Sequence, residues 1–235
     1  MGKKRKRSYS AKLPPTKIPR TLGSPLATRG FGDMGHLPNR EKKFFDATFQ
    51  SAAISTTGGF YLLFCPQLGS DYNQRIGRKV VIKSLYTKAF FVVERALSNV
   101  DGFSPAQMMR MIIFVDYQPN GATPIATDLL TASHPLAHLN PNNRDRFKII
   151  KDKTFSFDPI ILDGTNTNRA CFNRTCADLK NYKKLGIETI FNSTNAGSIG
   201  DITTGALYMF LVGSQASGQS DIDGGIETRV RFDDV

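Results

Sequence analysis

Few residues in this chain are spaced for chemistry, and each pattern that resembles a site lacks a part. Cys171 and Cys176 lie five apart, with Cys65, His36, His134 and His138 elsewhere. A structural zinc site draws on two tight ligand pairs such as C-x2-C, and Pro135 interrupts the helix that would put His134 and His138 on one face. The thiols therefore read as isolated and the histidines as surface residues, and no metal is expected. Three unevenly placed Cys make no disulfide framework either, which points to an intracellular setting. Gly30-Phe31-Gly32-Asp33-Met34-Gly35 spells the dinucleotide fingerprint. That motif works between a strand and a helix, whereas a basic, Pro-rich stretch precedes it here and a strand follows. Its glycines read as a bend. Asp221-Ile222-Asp223-Gly224 opens like a calcium loop, but Phe232 stands where the closing Glu belongs. Histidine is scarce, no G-x-S-x-G occurs, and no nucleophile stands beside a base, so neither catalytic residues nor a cofactor are expected.

The chemistry that remains is electrostatic. The chain has 235 residues, 31 Lys and Arg against 20 Asp and Glu, and a net charge of +11. Residues 1–43 hold twelve of the bases and only two acids, Asp33 and Glu41, leaving residues 44–235 close to neutral. The candidate nucleic-acid-binding residues are Lys3, Lys4, Arg5, Lys6, Arg7, Lys12, Lys17 and Arg20. Cations of this kind bind polyanions by releasing condensed counterions. The run Lys3-Lys4-Arg5-Lys6-Arg7 is also the type read as a nuclear-import signal. Membrane attachment fits poorly, because the segment has no amphipathic apolar face and Lys6 occupies the Ser/Thr position of a myristoylation signal. Asn173-Arg174-Thr175 and Asn192-Ser193-Thr194 fit the glycosylation pattern, but no apolar signal segment opens the chain, so mature protein is expected to begin here.

The element that carries these cations is expected to be a flexible arm. Pro14, Pro15, Pro19, Pro25 and Pro38 are mixed with Gly23, Gly30, Gly32 and Gly35, and no hydrophobic period starts before Phe44. Such a segment buries too little apolar surface to offset its ordering entropy. From Phe44 onward the period is two. Phe45, Ala47 and Phe49 alternate with polar neighbours, as do Ile226, Thr228, Val230 and Phe232. In 146–157 one face is expected to hold Phe147, Ile149, Lys151, Lys153, Phe155 and Phe157. Segments 79–93, 108–117 and 206–212 are apolar on both faces and are expected to be covered on both sides. A strand near 183–191 completes the set. Helix is confined to 123–132, with Thr123 as cap, Pro124 at the first position, and Leu129 and Leu130 packed inward. One domain of about seven or eight strands follows, all-β, either a two-sheet sandwich or a jelly roll. No apolar run reaches the ~18–20 residues that a membrane-spanning helix needs.

Several segments resemble the coat proteins of small circular single-stranded DNA viruses, the geminivirus-like and circovirus-like group. Arg75-Ile76-Gly77-Arg78-Lys79-Val80-Val81-Ile82-Lys83-Ser84 is similar to that family's "R-x-G-x-(K/R)-x-x-(I/V)-K-S" strand. The stretch 111–124, MIIFVDYQPNGATP, resembles an apolar strand followed by "D-x-Q-x-N-G-x-x-P", and 142–152, NNRDRFKIIKD, resembles a further strand. Segments 205–213 and 228–233 match the last two in order. The two-Cys, two-His zinc pattern of some geminivirus coat proteins has no clear counterpart.

The resemblance implies a single jelly-roll β-sandwich of about eight strands, residues 44–235, behind a disordered basic N-terminal arm, residues 1–43. It implies assembly of about sixty copies into an icosahedral shell around single-stranded DNA. It also implies passage through the host nucleus with import factors, and an unknown cell-surface receptor, with localisation to the virion and the nucleus. Lys83, Arg144, Arg146, Lys148, Lys151 and Lys153 are candidates for an inner wall, and Phe31, Phe44 and Phe45 for stacking on bases. Two other functions fit the same composition: a nuclear nucleic-acid-binding shuttle protein that forms no shell, and a receptor- or carbohydrate-binding jelly roll.

Overall fold

The computed structural model describes residues 43–51, 53–93, 103–104, 106–158, 160–162, 169–171, 176–217, 220 and 222–235. The chain divides into two compact units, Met1–Pro38 and Asn39–Val235, and every described residue belongs to the second. Twelve strands follow in order: β1 (Lys43–Ser51), β2 (Gly59–Leu62), β3 (Lys79–Val93), β4 (Phe103–Ser104), β5 (Gln107–Asp116), β6 (Phe147–Phe157), β7 (Ile160–Leu162), β8 (Arg169–Cys171), β9 (Cys176–Phe191), β10 (Ile202–Thr204), β11 (Ala206–Gly213) and β12 (Ile222–Asp234).

They form a five-stranded sheet in the order β1-β12-β3-β9-β10 and a four-stranded sheet in the order β2-β11-β5-β6. A small three-stranded sheet, β4-β7-β8, joins the connections that follow β3 and β6. All of the paired strands run antiparallel. Leaving aside the four short strands β4, β7, β8 and β10, the remaining eight divide equally between the two sheets. The first, eighth, third and sixth make one sheet; the second, seventh, fourth and fifth make the other. That order is two Greek keys wound together, a jelly roll.

The core lies between the two sheets. From the five-stranded sheet it takes Val80, Ile82, Leu85, Phe91, Ile187, Phe191, Ile226, Val230 and Phe232, all buried. From the four-stranded sheet it takes Met109, Met111, Ile113, Val115, Leu207, Met209 and Leu211. Phe64, just past β2, closes one end: its ring meets Phe45, Phe191 and Phe232 edge-on at 5.9, 6.3 and 5.1 Å. Phe91 reaches across to Phe155 at 5.4 Å. Burial on this scale, at about 25 cal/mol per Å² of apolar surface, is the main favourable contribution to folding.

A second apolar layer lies on the far side of the four-stranded sheet. Phe60 stacks on Phe210 at 4.3 Å, and Phe114 contacts Phe60, Phe147 and Tyr208. The connection from β5 to β6, residues 117–146, lies over this layer and contributes Leu129 and Leu130, both buried. Two arginines tie it down. Arg110 donates to both carboxylate oxygens of Asp152 and to the carbonyls of Pro135 and Ala137. Arg146 makes a bidentate pair with Asp116, at 3.0 and 2.8 Å, and Asp116 is fully buried.

The structure alters several sequence expectations. β5 and β11 are indeed buried on both faces, but β3 is covered on one side only, and Phe90 on its outer face is 51% exposed. The period of 146–157 is broken by a bulge: Phe114 pairs with Ile149 and Ile113 with Lys151, so Ile150 is the extra residue. An extra residue reverses the side-chain alternation. Phe147 and Ile149 therefore join the outer layer while Phe155 and Phe157 face the core, and the six do not share one face. β9 starts at Cys176, well before the expected 183, because only small Ala177 and single Leu179 mark its inward face there. The helix shrinks to α1 (Ala126–Leu129), with Ile125 rather than Thr123 at its N-cap and Asp128 accepting from the Ile125 N–H. β2, four residues long, carries no readable alternation.

Near one end of the sandwich, buried Arg75 donates to the carbonyls of Gly77 and Thr194 at 3.0 and 2.9 Å and lies 4.4 Å over the Phe191 ring. Asp201, also buried, accepts from the N–H groups of Gly197 and Ser198 and from the Thr194 hydroxyl. Gly205, at φ +77°, turns the chain from β10 into β11; a Cβ there would lie 2.2 Å from the Glu188 carbonyl oxygen, so only glycine fits.

Two outcomes follow. Arg146→Ala leaves Asp116 as a buried, unpaired carboxylate and should cost about 3–5 kcal/mol in urea unfolding, whereas Arg146→Met combined with Asp116→Leu should recover most of that loss. For Asp201, burial raises the carboxyl pKa, but the hydrogen bonds from Thr194, Ser198 and Gly197, with Arg75 nearby, outweigh it and hold the group below its ordinary 3.8. A depressed folded pKa gives stability that is present above the ordinary value and lost as pH falls through the folded one. Urea midpoints of wild type and Asp201→Asn should therefore differ at pH 7 and converge as pH drops below about 4.

Candidate nucleic-acid interface

The basic residues singled out from the sequence separate into two groups. Lys3, Lys4, Arg5, Lys6, Arg7, Lys12, Lys17 and Arg20 lie outside the described residues, as does Phe31. The shell-domain candidates are described, and the fold scatters them. Lys83 lies on the outer face of the five-stranded sheet, 3.3 Å from Asp233. Arg146 is occupied by Asp116 and Arg144 pairs with Asp145. Lys148, Lys151 and Lys153 sit on β6 at the edge of the other sheet. They do not form one wall. Of the aromatic candidates, Phe45 packs into the core, while Phe44 faces outward, 4.8 Å from Tyr72 and under the Arg229 guanidinium.

The strand that continues from residues 1–42 is fixed at its first residue. Lys43 is only 2% exposed, and its ammonium donates to the Gln74 carbonyl at 3.1 Å and pairs with Asp234 at 3.2 Å. Although its charge counts with the N-terminal bases in the sequence, Lys43 is held within the shell and is not available to a polyanion. Its role here is to join the start of β1 to the end of β12, which pair along their lengths.

The outer face of the five-stranded sheet brings together residues that sequence reasoning did not connect. Register places Tyr86 opposite Tyr182 and Lys88 opposite Lys180, with Lys184 opposite Ser84. Tyr182 is 53% exposed, and the Lys88 ammonium lies 5.7 Å over the Tyr86 ring. Among the described residues, no carboxylate lies within ion-pair distance of Lys88, Lys180 or Lys184. Three other cations on this face are matched: Lys79 with Glu188, Lys83 with Asp233, and Arg229 with Asp46 through two bonds of 2.7 Å. An open hollow of about 290 Å³ adjoins the patch, lined by Tyr86 and Lys88 together with Asp46, Thr48, Glu227 and Arg229. The alternation Lys180-Tyr182-Lys184 was present in the sequence, but it becomes a surface only when 176–182 is known to be strand.

The described thiols are not arranged for chemistry. Burial, with Asp201 nearby, pushes the Cys65 pKa up to about 12, and its thiol donates to the Ser198 carbonyl at 3.2 Å. Cys176 is exposed, at the start of β9. Among the described residues, no three His, Cys, Asp or Glu side chains are grouped to hold a metal ion. The segment with the calcium-like opening is taken into β12, where Asp223 accepts from the Ala53 N–H.

The family model described as geminivirus coat protein/nuclear export factor BR1 family matches residues 3–235. The chain is 27% identical to the coat protein of Satellite tobacco necrosis virus 2 over 156 residues, which is 66% of this chain and 68% of that protein. Among solved structures, Desmodium yellow mottle tymovirus aligns at TM-score 0.34 and 11% identity, covering 95% of this chain and 96% of that one. Infectious bursal disease virus, Gx strain, aligns at TM-score 0.21 and 10% identity, covering 83% and 34%. With a match that runs across nearly the whole sequence, the chain belongs to the geminivirus coat protein/nuclear export factor BR1 family.

Proposed function

We propose that this protein is the capsid subunit of a small single-stranded DNA virus. In this reading it self-assembles into an icosahedral shell of about sixty copies and packages the genome through its N-terminal arm. The observation that carries the packaging role is the placement of charge: twelve bases and two acids in residues 1–43, against a nearly neutral remainder. Sixty strongly basic bodies would repel one another, whereas near-neutral bodies can tile through apolar and hydrogen-bonded contacts. Sixty arms at about +10 would supply roughly 600 positive charges, enough to neutralise part of a genome of one or two thousand nucleotides. The residues assigned to the polyanion are Lys3, Lys4, Arg5, Lys6, Arg7, Lys12, Lys17 and Arg20. The first five also serve as the nuclear-import signal. Localisation is to the virion and, during infection, the host nucleus.

The family description names a nuclear export factor beside the coat protein, which favours a second reading. In that reading the chain carries nucleic acid through the nucleus as a monomer or small oligomer and forms no shell. Negative-stain micrographs of the purified full chain separate the two, since only the capsid reading predicts hollow particles of uniform size.

The arm has its own test. Deleting residues 2–20 removes eight bases. At about 0.7 per phosphate contact for single strands, the slope of log affinity against log salt should fall by about 5, with the β-sandwich still folded by circular dichroism. An unchanged slope would exclude the arm as the packaging element.

A further inference from the structure

We infer that the outer face of the five-stranded sheet is a second contact for single-stranded nucleic acid, in which Tyr182 and Tyr86 stack on bases while Lys88, Lys180 and Lys184 hold the flanking phosphates. This deepens the packaging reading and rests on it. The arm supplies charge alone, whereas this face adds recognition of unpaired bases.

The first observation is an unfavourable arrangement. Lys88 and Lys180 are directly opposite across β3 and β9. Like charges in that position destabilise a sheet. Neither ammonium lies within ion-pair distance of a described carboxylate, although Glu227 stands opposite Lys88 on β12 and Asp178 lies two residues from Lys180 on β9; three other cations on the same face do have such a partner. A bound anion removes the repulsion, and one phosphate between the two ammonium groups meets both.

The second observation is the order of the rows. Residues two apart on a strand project from the same face about 6.8 Å apart. Along β9 the face runs Lys180, Tyr182, Lys184, and beside it on β3 run Lys88 and Tyr86. An aromatic pair thus lies between cations on either side. A strand with splayed bases fits this order, placing rings on rings and phosphates on ammonium groups. A duplex hides its base faces and can use only the lysines. Tyr182 is half-exposed on an open sheet and touches no described aromatic ring within its own chain other than by register with Tyr86, so its upper face is free for stacking.

The third observation is the hollow beside Tyr86 and Lys88. It extends the patch toward β12 and β1, where Thr48 supplies a hydroxyl, the Glu227 carboxylate stands opposite Lys88, and Asp46 is already neutralised by Arg229.

The test measures binding of the full chain to a fluorescent 20-mer of oligo(dT) and to a 20-base-pair duplex across a salt series. Tyr182→Leu should weaken oligo(dT) binding by about 5- to 100-fold, the worth of one stacked base, and leave duplex binding within twofold. Tyr182→Phe, which keeps the ring, should restore oligo(dT) affinity, an outcome that a merely structural role for the hydroxyl or a general loss of fold would not give. Lys88→Ala with Lys180→Ala removes the one shared phosphate contact and should lower the oligo(dT) salt slope by about 0.7. The inference is overturned if Tyr182→Leu and the double lysine variant both bind oligo(dT) as wild type does. If neutralising Lys3–Arg7 then still lowers the slope, the packaging reading stands without it. If the wild-type chain binds neither probe, the packaging reading fails and this inference with it.

Discussion

The burial of the four-stranded sheet on both faces is the constraint from which the rest of the molecule follows. β5 and β11 present apolar side chains above and below, so one face meets the other sheet and the other face must be covered by something else. The 30-residue stretch 117–146 supplies that cover, and its weight of polar anchoring reflects its burden. The connection is held internally by turns and two short helical segments, Ala126–Leu129 and Pro141–Asn143, with backbone bonds such as Thr131 to His138 and Asn140 to Leu129. Arg110, itself oriented by the bidentate Asp152 carboxylate, holds the connection through the Pro135 and Ala137 carbonyls, and Arg146 holds it through the bidentate Asp116 carboxylate.

The asymmetry has a consequence for the opposite side. With a cover on one sheet only, the five-stranded sheet keeps a long outer face across β1, β12, β3 and β9, where charged and aromatic side chains alternate with the core residues beneath. Three of its cations, Lys79, Lys83 and Arg229, have carboxylate partners. Lys88, Lys180 and Lys184, which have none among the described residues, lie around the two paired tyrosines. Assembly of a coat protein needs surfaces that are electrically quiet and others that hold a polyanion, and one sheet can present both when charge matching is broken locally.

Charge placement and fold also meet at Lys43. Its ammonium is buried with Asp234 and the Gln74 carbonyl, which secures the first residue of the edge strand β1 against β12. An edge strand that began without such an anchor would be free to fray from β12.

The sequence alone established the β class, the near-neutral body, the basic leader and most long strands, because period-two alternation and net charge are local properties that survive without a fold. Motif order was enough to indicate the coat protein family. Tertiary structure decided what depends on pairing. The bulge at Ile150 moved Phe147 and Ile149 to the outer layer, an effect of one unpaired residue that no alternation pattern reveals. Which doubly apolar strand is covered twice depended on where 117–146 lies, so β3 and β11 look alike in sequence and differ in burial. Lys83, Arg146 and Lys151 read as one basic set along the chain but belong to different sheets or to ion pairs. The tyrosines and lysines of β3 and β9, almost a hundred residues apart, become neighbours only through the register of two antiparallel strands.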